Sequence, residues 1–180
     1  WVSNIKIRGS YGKLGNNTIA PYFFATTINS FAGYDFNNAL APGTTVVASL
    51  DPNVKWEDNE TTDVAVEFGL LDNDLQFTAE YFVKNSTNLL IGVPLPYSTG
   101  AFPASITTNA GAMKNTGFEF SATYNNNRKA FKYSISANIG TLTNEVKQIG
   151  INGNPIYGAA SKTQVGRSMG EIFAYETAGI

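Results

Sequence analysis

The chain has 180 residues, a net charge of −2, and no His or Cys. These figures exclude His-based acid–base catalysis, Cys nucleophiles, disulfides and the usual zinc sites. There is no basic excess to grip nucleic acid, so we expect no nucleic-acid partner. Charged residues make up 14% of the chain, against about 25% in an ordinary soluble protein. Uncharged polar residues are abundant instead, with 20 Asn and 18 Thr.

The length is that of one domain. No run of 18 apolar residues occurs, so the sequence predicts no transmembrane helix. The first residues, from Trp1 to Gly9, alternate in polarity and carry charge, unlike a signal peptide. If the protein is exported, we expect its signal to lie upstream and this chain to be a fragment.

Apolar and polar residues alternate with period two in several segments, which predicts β-strands with one apolar and one polar face. β-branched and aromatic residues hold most of the apolar positions, as strands prefer. A weaker sixth strand is predicted around Gly166 to Glu176, and no segment has the pattern of an amphipathic helix. The five clear strands run from Ile5 to Tyr11, Val64 to Leu70, Leu75 to Val83, Phe118 to Tyr124 and Phe131 to Ile139.

Short turns alternate with long connections along the chain. Asp72 to Asp74 and Asn125 to Ala130 form the short turns, which suit Asn and Asp. The long connections run from Gly12 to Thr61, from Asn85 to Thr116 and from Leu142 to Gln164. This order is typical of outer-membrane β-barrels, whose short turns lie on one side and long loops on the other. From these patterns alone, a soluble β-sandwich that binds glycans at its loop ends is equally compatible.

Five sequence segments favour the barrel. They are IKIRGSYGKLGNN, LDPNVKWE, FGLLDNDLQFTAEYFVKNSTNLLIGVPLP, NAGAMKNTGFEFSATY and VGRSMGEIFAYETAGI. In this order they resemble SusC/RagA-type TonB-linked outer-membrane transporters of Bacteroidetes. Each segment alone is weakly specific, whereas five in family order over nearly the whole chain are specific.

The resemblance implies an all-β fold, an antiparallel up-and-down transmembrane β-barrel of about 22 strands, of which this chain supplies five or six. Residues 1–180 would be part of a single TonB-dependent receptor β-barrel domain, with the plug domain and terminal strands outside the chain. The implied function is a non-enzymatic importer of glycans or peptides in the cell outer membrane, with no cofactor. A secreted β-rich enzyme domain ranks last, because no catalytic constellation occurs.

The resemblance also implies partners. They are a SusD-like surface lipoprotein, outer-membrane lipid, and the TonB–ExbB–ExbD energy-coupling complex through parts absent from this chain. Aromatic residues of the first long connection could contact a ligand or the lipoprotein, although packing among loops explains them as well. These residues are Tyr22, Phe23, Phe24, Phe31, Tyr34 and Phe36.

Charged residues on the polar strand faces are expected to line the lumen. For any single one of them, a wet barrel interior with charges of both signs is a sufficient explanation. They are Lys6, Arg8, Glu67, Glu80, Lys84, Glu119 and Lys132.

An acidic cluster is formed by Glu57, Asp58, Glu60 and Asp63. Carboxylates at such spacing could hold calcium. Their spacing does not match the helix–loop–helix calcium motif, so a solvated strand entrance is favoured and no metal site is assigned. The sequence leaves the question of calcium open.

Overall fold

The computed structural model describes residues 1–17, 19–22, 25, 28–46, 49–99, 104–127, 130–177 and 179. Strands dominate these residues, and their one helical element is a 3-10 turn at Tyr97–Thr99, which confirms the predicted all-β fold. Within the described ranges, no helix is long and apolar enough to cross a membrane. The strands are β1 (Val2–Asn16), β2 (Ile28–Phe36), β3 (Ala39–Val46), β4 (Ser49–Leu50), β5 (Glu57–Leu70), β6 (Leu75–Pro94), β7 (Ser105–Asn126), β8 (Tyr133–Gly140), β9 (Thr143–Ile149), β10 (Ile156–Tyr157), β11 (Ser161–Thr163) and β12 (Glu171–Ile172).

The main sheet is an antiparallel meander in the order β1-β5-β6-β7. Both β8 and β9 pair with β7, β8 along residues 119–126 and β9 along residues 111–116. They are two parts of one interrupted strand, and in the gap the backbone N–H of Thr141 donates to the carbonyl of Phe118 at 2.8 Å. Among the described strands, only the short β4 runs parallel to its partner, β7. This is the connectivity of an up-and-down barrel wall.

Both short turns lie at one end of the main sheet. The first links Leu70 to its partner Leu75, and the second links β7 to β8. Asp72 and Asn73 in the first turn have φ values of 56° and 68°. Asp and Asn tolerate this left-handed backbone, which explains their place in a tight turn. The longer connections leave from the opposite end of the sheet.

The strands are longer than the alternation predicted. β6 has 20 residues and β7 has 22, so most of the predicted connection from Asn85 to Thr116 is strand. The predicted connection from Gly12 to Thr61 likewise contains the ends of β1 and β5 and a separate β2–β3 hairpin. These extensions were missed because the polarity no longer alternates there: residues 85–88 read Asn-Ser-Thr-Asn.

The third predicted connection, Leu142 to Gln164, contains β9 and two strands of a small sheet with the order β10-β11-β12. The expected strand at Gly166 to Glu176 is reduced to the two residues of β12. The chain before β12 instead lies along the edge of β9, where the N–H of Val146 donates to the carbonyl of Arg167 at 2.9 Å. β9 escaped prediction because its apolar residues, Val146 and Ile149, are three positions apart.

The described residues contain almost no hydrophobic core. The buried hydrophobic residues are Ala65, Ala110, Val146 and Ile149, and no large side chain in the described ranges is fully buried. Large apolar side chains are exposed instead, and Ile7 is 73% exposed. Since a sheet must bury its apolar face against another layer or an apolar medium, the cover for this face lies outside these residues.

Candidate functional site

One face of the main sheet is apolar over a continuous surface. In its central row, Ile7, Val66, Ala79, Phe120 and Ile139 are direct partners on consecutive strands. The neighbouring rows on this face carry aliphatic, aromatic, Gly and Thr residues and no charge. We call this surface the apolar band. Its members alternate along residues 5–11 of β1, 62–70 of β5, 75–83 of β6, 116–124 of β7 and 133–139 of β8.

The opposite face of the same strands carries the charges. Lys6 is the direct partner of Glu67, and Glu80 is the direct partner of Glu119. By strand alternation, Arg8 and Lys84 belong to this face as well. The structure therefore brings together these predicted lumen residues: Lys6, Arg8, Glu67, Glu80, Lys84 and Glu119. Lys132 is placed differently, in the turn before β8, because that strand begins one residue later.

Arg8 connects carboxylates of two neighbouring strands. Its Nε donates to Glu67 at 3.0 Å, and its guanidinium also contacts Glu80. Asp63 lies 3.6 Å from its Nη1, and the Nζ of Lys6 donates to Glu67 at 3.3 Å. We call these five residues the charge ladder. Part-exposed ion pairs contribute only about 0–1 kcal/mol each, so the ladder fixes the pattern of charge on this face more than it stabilises the sheet.

A shallow hollow of about 390 Å³ opens beside the charge ladder. Its lining includes Arg8, Glu80, Glu119, Ser121 and Asn138. Glu119 stands directly opposite Glu80, and its side chain makes no hydrogen bond or ion pair within the described part of the chain. Because like charges directly opposite one another repel, this hollow favours hydrogen-bonding or cationic groups over anions.

The predicted aromatic residues of the first connection are only partly within the described ranges. Phe23 and Phe24 lie outside them, and Phe31 falls within β2. Tyr22 is exposed in a turn and has a φ of 62°. These residues therefore do not form a defined aromatic site among the described residues.

The β2–β3 hairpin displays the other two aromatic side chains. The ring centroids of Tyr34 and Phe36 lie 4.8 Å apart, and both side chains are exposed. Their direct partners on β3 are Ala41 and Ala39, respectively. Because Ala side chains are small, both rings stand free on one face of the hairpin. Such rings can stack on apolar or ring-shaped groups.

The carboxylates of the acidic cluster do not come together at one point. Strand alternation puts Asp58 and Glu60 on one face of β5 and Glu57 and Asp63 on the other. The Nζ of Lys13 lies 3.1 Å from Glu60 and 3.6 Å from Asp58, and its hydrogen bond to Glu60 is the largest cause that raises the pKa of Lys13. Among the described residues, no group of three potential metal ligands comes together. The geometry favours the solvated strand entrance.

We call the end of the main sheet from which the long connections leave its upper part, and the end with the two short turns its lower part. A segment that the sequence analysis did not single out crosses the upper part. We call residues 51–56 the strap. Asn109 of β7 fastens it: its Oδ1 accepts the N–H of Lys55 at 2.6 Å, and its Nδ2 donates to the carbonyl of Lys55 at 2.8 Å. The same Nδ2 donates to the carbonyl of Asn88 in β6 at 2.6 Å. One side chain thus joins three segments of the chain.

Asp51 fastens the other end of the strap. The hydroxyl of Thr108 donates to its carboxylate, and the backbone N–H of Asn53 donates to it at 2.8 Å. These bonds lower the pKa of Asp51, and the Thr108 bond is the larger cause. The Asp-Pro-Asn sequence at residues 51–53 predicts a turn, but it does not predict which residue of β7 the turn contacts.

A bulge in β6 lies beside the strap. The pairing of β6 with β7 shifts register between Ser86 and Leu90, and Asn88 has a φ of 56°. Two side chains of β5 hold the bulge: Glu57 accepts the backbone N–H of Leu90 at 3.0 Å, and Asp58 accepts from the side-chain Nδ2 of Asn88 at 2.9 Å. Two members of the acidic cluster therefore have a structural use.

Comparison with known proteins identifies relatives of the whole chain. The model of the family described as TonB dependent receptor-like, beta-barrel matches residues 1–175. TonB-dependent receptor P3 of Formosa agariphila is 26% identical over 99% of this chain and 19% of its own length. TonB-dependent receptor SusC of Bacteroides thetaiotaomicron is 28% identical over 82% of this chain and 15% of its own length.

Among solved structures, the RagAB peptide transporter matches with a TM-score of 0.75. The identity is 24%, and the match covers 93% of this chain and 18% of that chain. At this identity the likeness shows the fold, which confirms the predicted architecture. The predicted SusC/RagA resemblance is also confirmed, and the chain spans less than a fifth of the length of the curated relatives named above.

Proposed function

We propose a function from the premise that this chain belongs to the TonB-dependent receptor-like β-barrel family, given the match over residues 1–175. The chain forms part of the wall of an outer-membrane importer, and its apolar band faces lipid. The polar face with the charge ladder faces the barrel lumen. One observation carries the proposal: charges beside the band are confined to the opposite face of the same strands.

The dimensions of the apolar band support a membrane position. A transmembrane strand needs about 9–11 residues when tilted, and the band occupies residues 75–83 of β6. An Arg or Lys on the lipid face costs about 2–4 kcal/mol at the bilayer midplane. Charge is therefore excluded from such a face, while the lumen face tolerates Arg8 and Glu80 in contact with each other.

The alternative of a soluble β-sandwich is not supported, because the apolar band has no second sheet to cover it. A sandwich buries the apolar face of one sheet against a second sheet at about 10 Å. The apolar band has no such cover among the described residues, where Ile7 and Phe118 are exposed. In lipid, the same exposed side chains are in their preferred surroundings.

The wall continues beyond this chain on both sides. In the described ranges, β1 pairs only with β5, and β8 pairs only with β7. Each unpaired backbone group in lipid costs several kcal/mol, so membrane sheets close into barrels. Residues 1–180 are accordingly part of a single barrel domain, and the plug domain and terminal strands belong to other parts of the receptor.

We propose the cargo and the partners of the full-length receptor from its relatives. We assign the full-length receptor to the uptake of glycans or peptides, without catalysis, together with a SusD-like surface lipoprotein. The free rings of Tyr34 and Phe36 on the β2–β3 hairpin support contact with this lipoprotein or the cargo. Energy from TonB–ExbB–ExbD enters through parts outside this chain.

Cysteine labelling of the full-length receptor on intact cells tests the proposal. Asn152→Cys, in an exposed loop at the upper end, is expected to react with a membrane-impermeant maleimide. Asn73→Cys, in the short turn at the other end, is expected to react only after the outer membrane is permeabilised. The unsubstituted receptor gives the background. Equal labelling of both positions on intact cells would refute a membrane-spanning wall.

A further inference from the structure

The face of the apolar band changes from uncharged to charged at one row of partners. Lys13, Glu60, Asn85, Lys114 and Glu145 are direct partners on consecutive strands. We call them the rim row. It lies one step above the uppermost row of the band on the same face, at the end from which the long loops leave.

The two ends of the rim row are neutralised from within the chain. The Nζ of Lys13 contacts Glu60 at 3.1 Å and Asp58 at 3.6 Å. At the other end, the Nζ of Lys147 contacts Glu145 at 2.6 Å. Each of these cations faces at least one carboxylate, so neither end offers an unsatisfied charge to a ligand.

The centre of the rim row is different. Lys114 makes no ion pair or side-chain hydrogen bond within the described residues, and neither does the side chain of Asn85. The two are direct partners on β7 and β6, so their Cβ atoms lie about 4.5–5.5 Å apart. Lys114 is half-buried and Asn85 is exposed. Glu145, the direct partner of Lys114 on β9, is paired with Lys147 instead. The ammonium of Lys114 and the amide of Asn85 therefore present one small site for an anion.

We propose that Lys114 and Asn85 bind the phosphate of an anionic lipid headgroup at the upper edge of the membrane. This inference rests on the proposed function, because it needs the apolar band to face lipid. Val83 and Thr116, the direct partners one row below, belong to the band. A lipid whose chains cover that row has its headgroup at the height of Lys114. Continuity with the band selects a lipid phosphate over a free anion.

Native mass spectrometry of the full-length receptor with added lipid tests the site. The probes are phosphatidylglycerol, which is anionic, and phosphatidylcholine, which is zwitterionic. Since one Lys near an anionic surface contributes about 1 kcal/mol, Lys114→Gln is expected to retain phosphatidylglycerol about fivefold more weakly. Lys114→Arg is expected to retain it like the unsubstituted receptor.

Lys84→Gln is the matched control. Lys84 lies on β6 beside Asn85 but on the opposite face, with Asn115 as its partner on β7. Its substitution is expected to leave lipid retention unchanged. The proposal is overturned by unchanged retention in Lys114→Gln, by an equal loss in Lys84→Gln, or by an equal loss of phosphatidylcholine. Heat-modifiable gel mobility reports barrel assembly separately: a receptor that assembles but shows no Lys114 effect refutes this site and leaves the proposed function standing.

Discussion

The lower and upper parts of the main sheet follow different rules. In the lower part, which carries the apolar band, β5 and β6 pair without a register shift down to Leu70 and Leu75. In the upper part, β6 and β7 shift register twice between Ser86 and Leu90, and β7 and β9 shift near Ala112. The β5–β6 and β6–β7 ladders are regular below Lys84 because lipid offers no alternative hydrogen-bond partner to the backbone. The interruptions beside them lie at Val2 to Asn4 and between β8 and β9, where the hydroxyl of Thr141 accepts the N–H of Phe118 at 3.1 Å.

The upper part shows what replaces that regularity where water is present. Broken ladder positions are filled by side chains, including Glu57 on the N–H of Leu90 and Asn109 on the carbonyl of Asn88. Short polar side chains suit this use because they bond nearby backbone groups. Asn109 shows this use of a short polar side chain in the upper part of the sheet, while apolar alternation serves the lower part.

The largest expected effect comes from moving a charge between the two faces of the lower part. Ala79 belongs to the central row of the apolar band, and its neighbour Thr78 lines the hollow beside Glu80 and Glu119. Ala79→Arg is expected to destabilise the assembled full-length receptor by about 2–4 kcal/mol, because it puts a cation into lipid near the midplane. Urea titration of the receptor in vesicles, followed by heat-modifiable mobility, measures this change.

Thr78→Arg is the matched control for that substitution. It adds the same side chain one residue away, on the face that carries Glu67, Glu80 and Glu119. The expected loss of stability is much smaller, since carboxylates and water surround the new cation. If the two variants are equally destabilised, the faces are not divided between lipid and lumen as proposed.

The sequence was sufficient to predict the lower part and insufficient for the upper part. Alternation in Val64 to Leu70 and Leu75 to Val83 predicted strands, faces and the placement of Glu67 and Glu80, because only one face there is apolar. Above Lys84 the alternation ends: residues 85–88 are all polar and residues 89–94 read Leu-Leu-Ile-Gly-Val-Pro, so the period-two signal disappears although the strand continues. There the length of each strand is determined by its pairing with other strands. The residue pattern of a single segment contains no information about that pairing.

The candidate residues follow the same division. Those of the charge ladder could be assigned to one face from alternation, but the contact of Arg8 with both Glu67 and Glu80 depends on which strands are neighbours. Asn109 was not singled out, because one Asn among 20 carries no local signal for binding a distant segment. Its role depends on a contact with Lys55, 54 positions away.

An intermediate effect is expected from unfastening the strap. Asn109→Ala removes the acceptor for the N–H of Lys55 and the donor for two carbonyls. Losing such bonds costs about 1–3 kcal/mol, so amide exchange in the peptide containing Lys55 should accelerate about 5- to 140-fold. Hydrogen–deuterium exchange with mass spectrometry on the full-length receptor measures the rate.

Two variants of β7 sharpen that test. Asn109→Asp keeps an acceptor for the N–H of Lys55 but sets a carboxylate oxygen against the carbonyls of Lys55 and Asn88, so its exchange should accelerate at least as much as that of Asn109→Ala. Thr107→Ala changes a nearby side chain without a hydrogen bond to the strap in the described residues, and it should leave the rate unchanged. Equal acceleration in Thr107→Ala would show that the strap responds to β7 in general and not to the Asn109 bonds.

The smallest expected effect is a pH dependence confined to the other end of the strap. The pKa of Asp51 is lowered, chiefly because Thr108 donates to the carboxylate and then because the N–H of Asn53 does. A group with a lowered pKa in the folded state stabilises that state at pH values above its ordinary pKa of about 3.9. This stabilisation is lost as the pH falls through the lowered value. Exchange of the Asn53 amide, corrected for its intrinsic rate, should therefore be constant above about pH 4 and accelerate below it. Asp51→Asn cannot lose a charge, so it should show a flat profile, and an acid-dependent profile in that variant would assign the titration to another group.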